Sequence, residues 1–130
     1  MNRFLIAIFG LVGTCSAPNE GRVPQHMREL IGKTIAYQYG ESIYHVTFDT
    51  DSTLHWEAMA GDEKGAFENE TYVAEFVAPG MLFITWGEEN GIGVSQVLNL
   101  AEGKVHNHLL RGREASLGEG EIRIIQNPGV

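Results

Sequence analysis

The sequence has little material for disulfide bonds or for binding nucleic acid. Its one cysteine, Cys15, has no partner in the chain, so stability has to come from packing rather than from covalent cross-links. The chain has 9 basic and 17 acidic residues and a net charge of −8. Because no basic stripe with interleaved aromatic residues is present, nucleic acid and anionic membrane surfaces are excluded as partners. The 43% of hydrophobic residues is enough for the core of one domain.

The first 17 residues have the pattern of a secretory signal peptide. A short basic start precedes an apolar run at residues 4–13, and small residues follow up to Ala17. The run is shorter than the roughly 20 apolar residues that a membrane-spanning helix needs. We predict cleavage after Ala17 and export to the periplasm or to the outside of the cell. The alternative is a lipid anchor on Cys15, because residues 12–15 form an imperfect lipobox.

A short helix is predicted between the signal peptide and the main domain. Residues 18–31 begin as a linker, after which apolar residues recur at the spacing of one helical face: Val23, Met27, Leu30 and Ile31. This spacing predicts a helix over residues 22–31 that ends at Gly32. Because so short a helix is marginal alone, we expect it to pack against the remaining domain, residues 32–130.

From Lys33 onward the apolar residues alternate with a period of two, which is typical of β-strands. The predicted strands cover residues 34–39, 42–49, 53–59, 71–77, 81–86, 92–100, 104–110 and 121–125. Most connections are short and rich in turn-forming residues, as at Pro79-Gly80. Consecutive antiparallel strands without intervening helices form an up-and-down meander. Since closure removes the two exposed edges, we predict an all-β barrel of about eight strands.

The strand that ends on Trp86 predicts a site inside this barrel. Glu88 lies two residues further on, so it points the same way as Trp86 and Ile84 if the strand continues. A carboxylate is then aimed into the open end of the barrel or into a ligand pocket, where it accepts a hydrogen bond from a wall aromatic. Alternation places further aromatic residues on the interior face: Tyr37, Tyr39, Tyr44 and Trp56. The simpler alternatives are a solvated Glu88 and tyrosines that only fill the core.

No metal or cofactor site is predicted. His106 and His108 share one face of a predicted strand, but two imidazoles without a clear third ligand do not complete a site. The sequence has no glycine-rich phosphate loop, no nucleophile elbow and no cysteine after residue 17, which argues against nucleotide and acyl-transfer chemistry. The expected partner is a small molecule, and a homodimer is left open.

Four segments together resemble the MoaF-like family. They are Gly-Lys-Thr-Ile-Ala-Tyr-Gln-Tyr at 32–39, Thr-Leu-His-Trp at 53–56, Phe-Ile-Thr-Trp-Gly-Glu at 83–88 and Val-Ser-Gln-Val-Leu-Asn-Leu at 94–100. The same features are similar, more distantly, to bacterial phenolic acid decarboxylases, which share a lipocalin-like (calycin) β-barrel. The resemblance therefore implies a ligand pocket inside such a barrel.

The decarboxylase resemblance implies catalytic roles for three residues. Tyr37 and Tyr39 match the paired tyrosines that hold the substrate carboxylate, and Glu88 matches the glutamate that handles the phenol end and moves a proton. The decarboxylases have an arginine on the segment after the third strand. This chain departs from that pattern, because residues 29–110 contain no arginine. Lys64 lies nearby, but an ammonium group does not reproduce a planar guanidinium fork.

Three functions are consistent with the sequence. The first is a binding protein that holds a small aromatic or apolar ligand in the barrel, with Tyr44, Trp56 and Trp86 in the wall and Glu88 as the polar anchor. The second is a cofactor-independent lyase or isomerase that uses Tyr37, Tyr39 and Glu88 on a phenolic or enolic substrate. It requires a cation near the pocket. A structural role is the third, and it requires an interior filled by the barrel's own side chains.

Overall fold

Eight antiparallel strands close into one barrel in the computed structural model, which describes residues 22–125. The strands are β1 (Thr34–Tyr39), β2 (Ser42–Phe48), β3 (Thr53–Ala60), β4 (Phe67–Ala78), β5 (Met81–Gly87), β6 (Gly93–Asn99), β7 (Lys104–Arg111) and β8 (Glu114–Ile125). Each strand pairs with its neighbours in the chain, and β1 also pairs with β8. The predicted up-and-down, calycin-like barrel is confirmed, and its closure leaves no unpaired sheet edge.

Two strands are longer than the apolar alternation predicted. β4 begins at Phe67 rather than at residue 71, and β8 begins at Glu114 rather than at residue 121. The backbone pairing with β3 and β7 continues through these early segments, but their inward positions carry charged or small residues. These inward residues are Glu68, Glu70, Ser116, Gly118 and Gly120.

One end of the barrel is filled by apolar side chains. Its buried residues come from the starts and ends of six strands: Ile35, Phe48, Leu54, Leu82, Leu98 and Val105. The segment before β1 covers this end, since Leu30 is 0% exposed. The backbone N–H of Gly32 donates to the carbonyl of Phe48 at 2.7 Å, and that of Gly80 donates to the carbonyl of Pro24 at 3.0 Å. The barrel is therefore closed at this end.

The helix predicted over residues 22–31 is reduced to a single 3₁₀ turn, Met27–Glu29. Pro24 disfavours helical geometry at the residue before it, and the few residues that remain cannot offset the cost of helix nucleation. The segment packs against the barrel, as expected. No helix within residues 22–125 is long and apolar enough to cross a membrane. The predicted signal peptide and Cys15 lie outside the described residues.

Candidate functional site

A cavity of about 550 Å³ opens at the other end of the barrel, next to the β1–β2, β3–β4, β5–β6 and β7–β8 turns. All six site residues predicted from the sequence line it: Tyr37, Tyr39, Tyr44, Trp56, Trp86 and Glu88. The structure thus brings together side chains that are up to 51 positions apart in the numbering of the chain. Because the side chains of residues 22–125 leave this end unfilled, the condition for a purely structural role is not met.

Four aromatic rings form a continuous arc along β1, β2 and β3. The ring centroids of Tyr37 and Tyr39 lie 6.3 Å apart, those of Tyr39 and Tyr44 lie 6.2 Å apart, and those of Tyr44 and Trp56 lie 5.9 Å apart. The last two pairs meet edge to face, an arrangement that aromatic rings favour. Trp86 on β5 adds a fifth ring to the lining.

The hydroxyl group of Tyr37 is already occupied. The residue is 1% exposed, and its hydroxyl donates to Gln96 Oε1 at 2.9 Å. Gln96 Nε2 in turn donates to Asn107 Oδ1 at 2.9 Å. Burial raises the pKa of the Tyr37 hydroxyl well above its ordinary value, so the group stays neutral. A satisfied buried network of this kind fixes the floor of the cavity.

The hydroxyl group of Tyr39 is free. Its oxygen is buried and has no hydrogen-bond partner within residues 22–125. Burial and the neighbouring Tyr44 raise its pKa, so this phenol also stays protonated. The ring packs directly on β8, where a Cβ atom at Gly120 would lie 2.7 Å from Cδ1 of Tyr39. Tyr39 therefore holds, in the wall of the cavity, a neutral hydrogen-bond donor that no group of residues 22–125 uses.

Three carboxylates line the cavity. Glu63 lies in the β3–β4 turn, Glu68 lies on β4, and Glu88 follows β5. The Tyr44 hydroxyl donates to Glu63 Oε1 at 2.8 Å, and Trp86 Nε1 donates to Glu88 Oε2 at 3.3 Å. The second contact is the one expected between Glu88 and a wall aromatic.

Glu88 is half-buried one residue beyond the end of β5, and its backbone N–H donates to the carbonyl of Ile92 at 2.8 Å. Burial raises the pKa of its carboxyl group. The hydrogen bond from Trp86 lowers it, Glu68 and Glu63 raise it, and Arg111 lowers it. Glu88 is thus neither a fully solvated acid nor an isolated buried one.

Sequence reasoning missed Glu68 and Glu70. Glu70 is 6% exposed and accepts a hydrogen bond from Trp56 Nε1 at 2.9 Å. Burial raises the pKa of Glu70 to about 7, a hydrogen bond with Glu68 adds to the rise, and the bond from Trp56 opposes it. Glu70 therefore keeps its proton up to near neutral pH, because its carboxylate would be buried beside Glu68. Alternation backward from Tyr72 would have found both acids, had β4 been extended past residue 71.

Other charged candidates lie away from the cavity or at its edge. Lys64 is exposed and does not line the cavity, whereas Arg111 on β7 does. His106 lies on the outside of β7, where its Nδ1 is 3.5 Å from a carboxylate oxygen of Glu119. No group of three or more metal-ligating side chains is assembled in residues 22–125.

The sequence and the fold both have counterparts among known proteins. The sequence model of a family described as MoaF-like matches residues 31–122. Among solved structures, the chain is similar to that of a Burkholderia vietnamiensis protein provisionally named a beta-lactamase, with a TM-score of 0.68 and 20% identity over 74% of this chain and 95% of that one. At this identity the likeness shows the fold alone. No curated protein sequence matches the chain.

Proposed function

The chain belongs to the MoaF-like family, and from that premise we propose that it is a binding protein that holds a small aromatic or apolar ligand inside the barrel. The observation that supports this function best is the open cavity of about 550 Å³ with five aromatic rings in its wall. Ligand pockets for small molecules have volumes of roughly 300–1,000 Å³, mostly apolar walls and a few convergent polar groups.

Two of the polar groups in the cavity wall are held in place for a ligand. The free hydroxyl of Tyr39 offers a donor, and the carboxylate of Glu88 offers an acceptor that Trp86 orients. The deeper network of Gln96 and Asn107 is satisfied by protein groups. A ligand can therefore be oriented by two polar contacts while its apolar body displaces water from the rings.

Two observations count against the lyase alternative. The Tyr37 hydroxyl is bonded to Gln96, so it is not available with Tyr39 to clamp a substrate carboxylate. The cation that the lyase needs is not supplied by Lys64, which is exposed, and Arg111 lies among three carboxylates that repel an anionic substrate. Binding without turnover agrees better with this arrangement.

Tryptophan fluorescence tests the proposal directly. The chain has two tryptophans, and both line the cavity, so the whole indole signal reports on the site. With excitation at wavelengths longer than those that the probe absorbs, 4-ethylphenol is expected to change the tryptophan emission in a saturable way.

A variant that fills the cavity supplies the control. A Cβ atom at Gly118 would meet nothing within 4 Å, and the residue lines the cavity, so Gly118→Leu should occupy the ligand's space and weaken binding by about tenfold or more, roughly 1.4 kcal/mol. Glu119→Leu places the same side chain on the outside of the same strand and should bind like the wild type. Equal affinity of all three proteins, or no saturable signal, would contradict the proposed function.

A further inference from the structure

We infer that the ligand of this cavity is an organic cation, with an aromatic or apolar body and an ammonium-type head that lies between the aromatic arc and the glutamates at the open end. The inference rests on the proposed function, because it names the class of ligand for the same cavity.

The charge of the lining favours a cation. Glu63, Glu68 and Glu88 line the cavity, whereas Arg111 is the one basic lining residue in the part of the chain that the structure describes. None of the ion pairs formed within residues 22–125 involves these glutamates. Charges at a partly enclosed site interact more strongly than in bulk water, so the surplus of carboxylates attracts cations and repels anions.

A carboxylate oxygen that lacks a donor above neutral pH favours a ligand that donates hydrogen bonds. Glu68 Oε1 is buried and accepts no backbone, hydroxyl or amide hydrogen bond within residues 22–125, and the donor beside it, the carboxyl group of Glu70, has lost most of its proton at pH 8. A buried acceptor without a donor costs free energy. Because Glu68 lines the cavity, an N–H group on a bound ligand would satisfy this oxygen, whereas a carboxylate or an ether could not.

The aromatic wall supplies the second half of a site for ammonium groups. Three of its rings each donate a hydrogen bond to a glutamate: Tyr44 to Glu63, Trp56 to Glu70 and Trp86 to Glu88. Each ring is therefore held beside the carboxyl group of a glutamate. A cation within about 6 Å of a tyrosine or tryptophan ring centroid is attracted to the ring face. The rings and the carboxylates together favour a ligand with one positively charged head group that lies between them in the cavity.

Three probes with one ring and different head groups test the inference on the full-length protein. They are phenethylammonium, the neutral 2-phenylethanol and the anionic phenylacetate, titrated at pH 8 and low salt with the tryptophan emission as the readout. We expect phenethylammonium to bind about tenfold or more tighter than 2-phenylethanol, because charge-assisted hydrogen bonds exceed neutral ones. Phenylacetate should bind most weakly.

Matched variants assign the effect to the cavity. Glu68→Gln and Glu88→Gln should each weaken phenethylammonium by about fivefold or more and should weaken the neutral 2-phenylethanol less, because each substitution removes a charge but keeps an amide oxygen as an acceptor. Glu75→Gln removes the same charge from the exposed outer face of β4 and should change neither probe.

The outcomes separate the inference from the function on which it rests. Equal or tighter binding of 2-phenylethanol or phenylacetate, or equal losses for Glu68→Gln and Glu75→Gln, would overturn the cation while the ligand-binding function stands. Failure of all three probes and of 4-ethylphenol would overturn the proposed function, and the inference with it.

Discussion

Among single residues, Glu70 has the environment that ties folding most closely to pH. Its pKa in the folded protein is about 7, above the ordinary value of 4.5, so the folded state keeps a proton that the unfolded chain has lost. The contribution of Glu70 to stability is therefore greatest below about pH 4.5 and is lost as the pH rises from there through 7. The carboxylate that Glu70 then forms lies beside Glu68, and the hydrogen bond from Trp56 offsets only part of the cost of burying its charge.

Glu70→Gln is expected to remove this part of the pH dependence. Glutamine stays neutral and can still accept the hydrogen bond from Trp56, so the Tm of the variant should exceed that of the wild type at pH 8 and approach it at pH 4.5. Each 1 kcal/mol corresponds to roughly 4–8 °C for a domain of this size. Thermal unfolding followed by circular dichroism across this range measures the difference. A difference that is the same at every pH would contradict the assignment, and Glu75→Gln is the exposed control.

Substitutions of the two tyrosines of β1 are expected to distinguish an effect on stability from an effect on ligand binding. Tyr37→Phe leaves Gln96 Oε1 without its donor and should cost about 1–2 kcal/mol of unfolding free energy, with little effect on ligand affinity. Tyr39→Phe removes a hydroxyl that has no partner within residues 22–125, so it should leave stability unchanged or improved and weaken the binding of a ligand that accepts from it. Urea unfolding and the fluorescence titration measure the two effects. An equal loss of stability in both variants would show that the Tyr39 hydroxyl is not free.

Among the elements, β8 contributes two glycines that face the interior and differ in how closely other atoms approach them. A Cβ atom at Gly120 would lie 2.5 Å from the carbonyl oxygen of Gln38 and 2.7 Å from Cδ1 of Tyr39, whereas one at Gly118 would meet nothing within 4 Å. Gly120→Ala should therefore separate β8 from β1 and displace the Tyr39 ring, at a cost of about 1–3 kcal/mol. Gly118→Ala should leave stability unchanged. If both substitutions cost the same, the close approach of Tyr39 to β8 is not present in solution.

The strand alternation predicted which aromatic side chains meet, but not where every strand begins. Tyr37, Tyr44 and Trp56 could be assigned to the interior because large apolar residues alternate with polar ones on β1, β2 and β3. On β4 and β8 the inward positions near the open end carry acids or glycines, so the hydrophobic period disappears where the cavity begins. The signal fails there because a ligand site, unlike a core, does not need apolar side chains at every inward position.

The barrel as a whole has one end that is filled by apolar side chains and one end that is open. Short turns and continuous alternation predicted the closed, eight-stranded meander, since closure is the simplest way to leave no sheet edge exposed. The sequence predicted that Glu88 points toward an open end or a pocket, but it did not predict that the opposite end is closed by Leu30. The contacts of Leu30 join positions far apart in the chain and leave no local pattern in the sequence.

The proposed function places a small ligand inside this open end. A titration of the full-length, nitrogen-15-labelled protein with 4-ethylphenol, followed by NMR through the indole N–H signals of Trp56 and Trp86, tests this placement. Trp56 and Trp86 are the chain's two tryptophans, and their Nε1–H groups bond to Glu70 and Glu88. We expect both signals to shift together and to saturate with one affinity, while the backbone signal of outward-facing Glu75 does not move. Indole signals that stay fixed, or shifts confined to outward-facing residues, would contradict this placement.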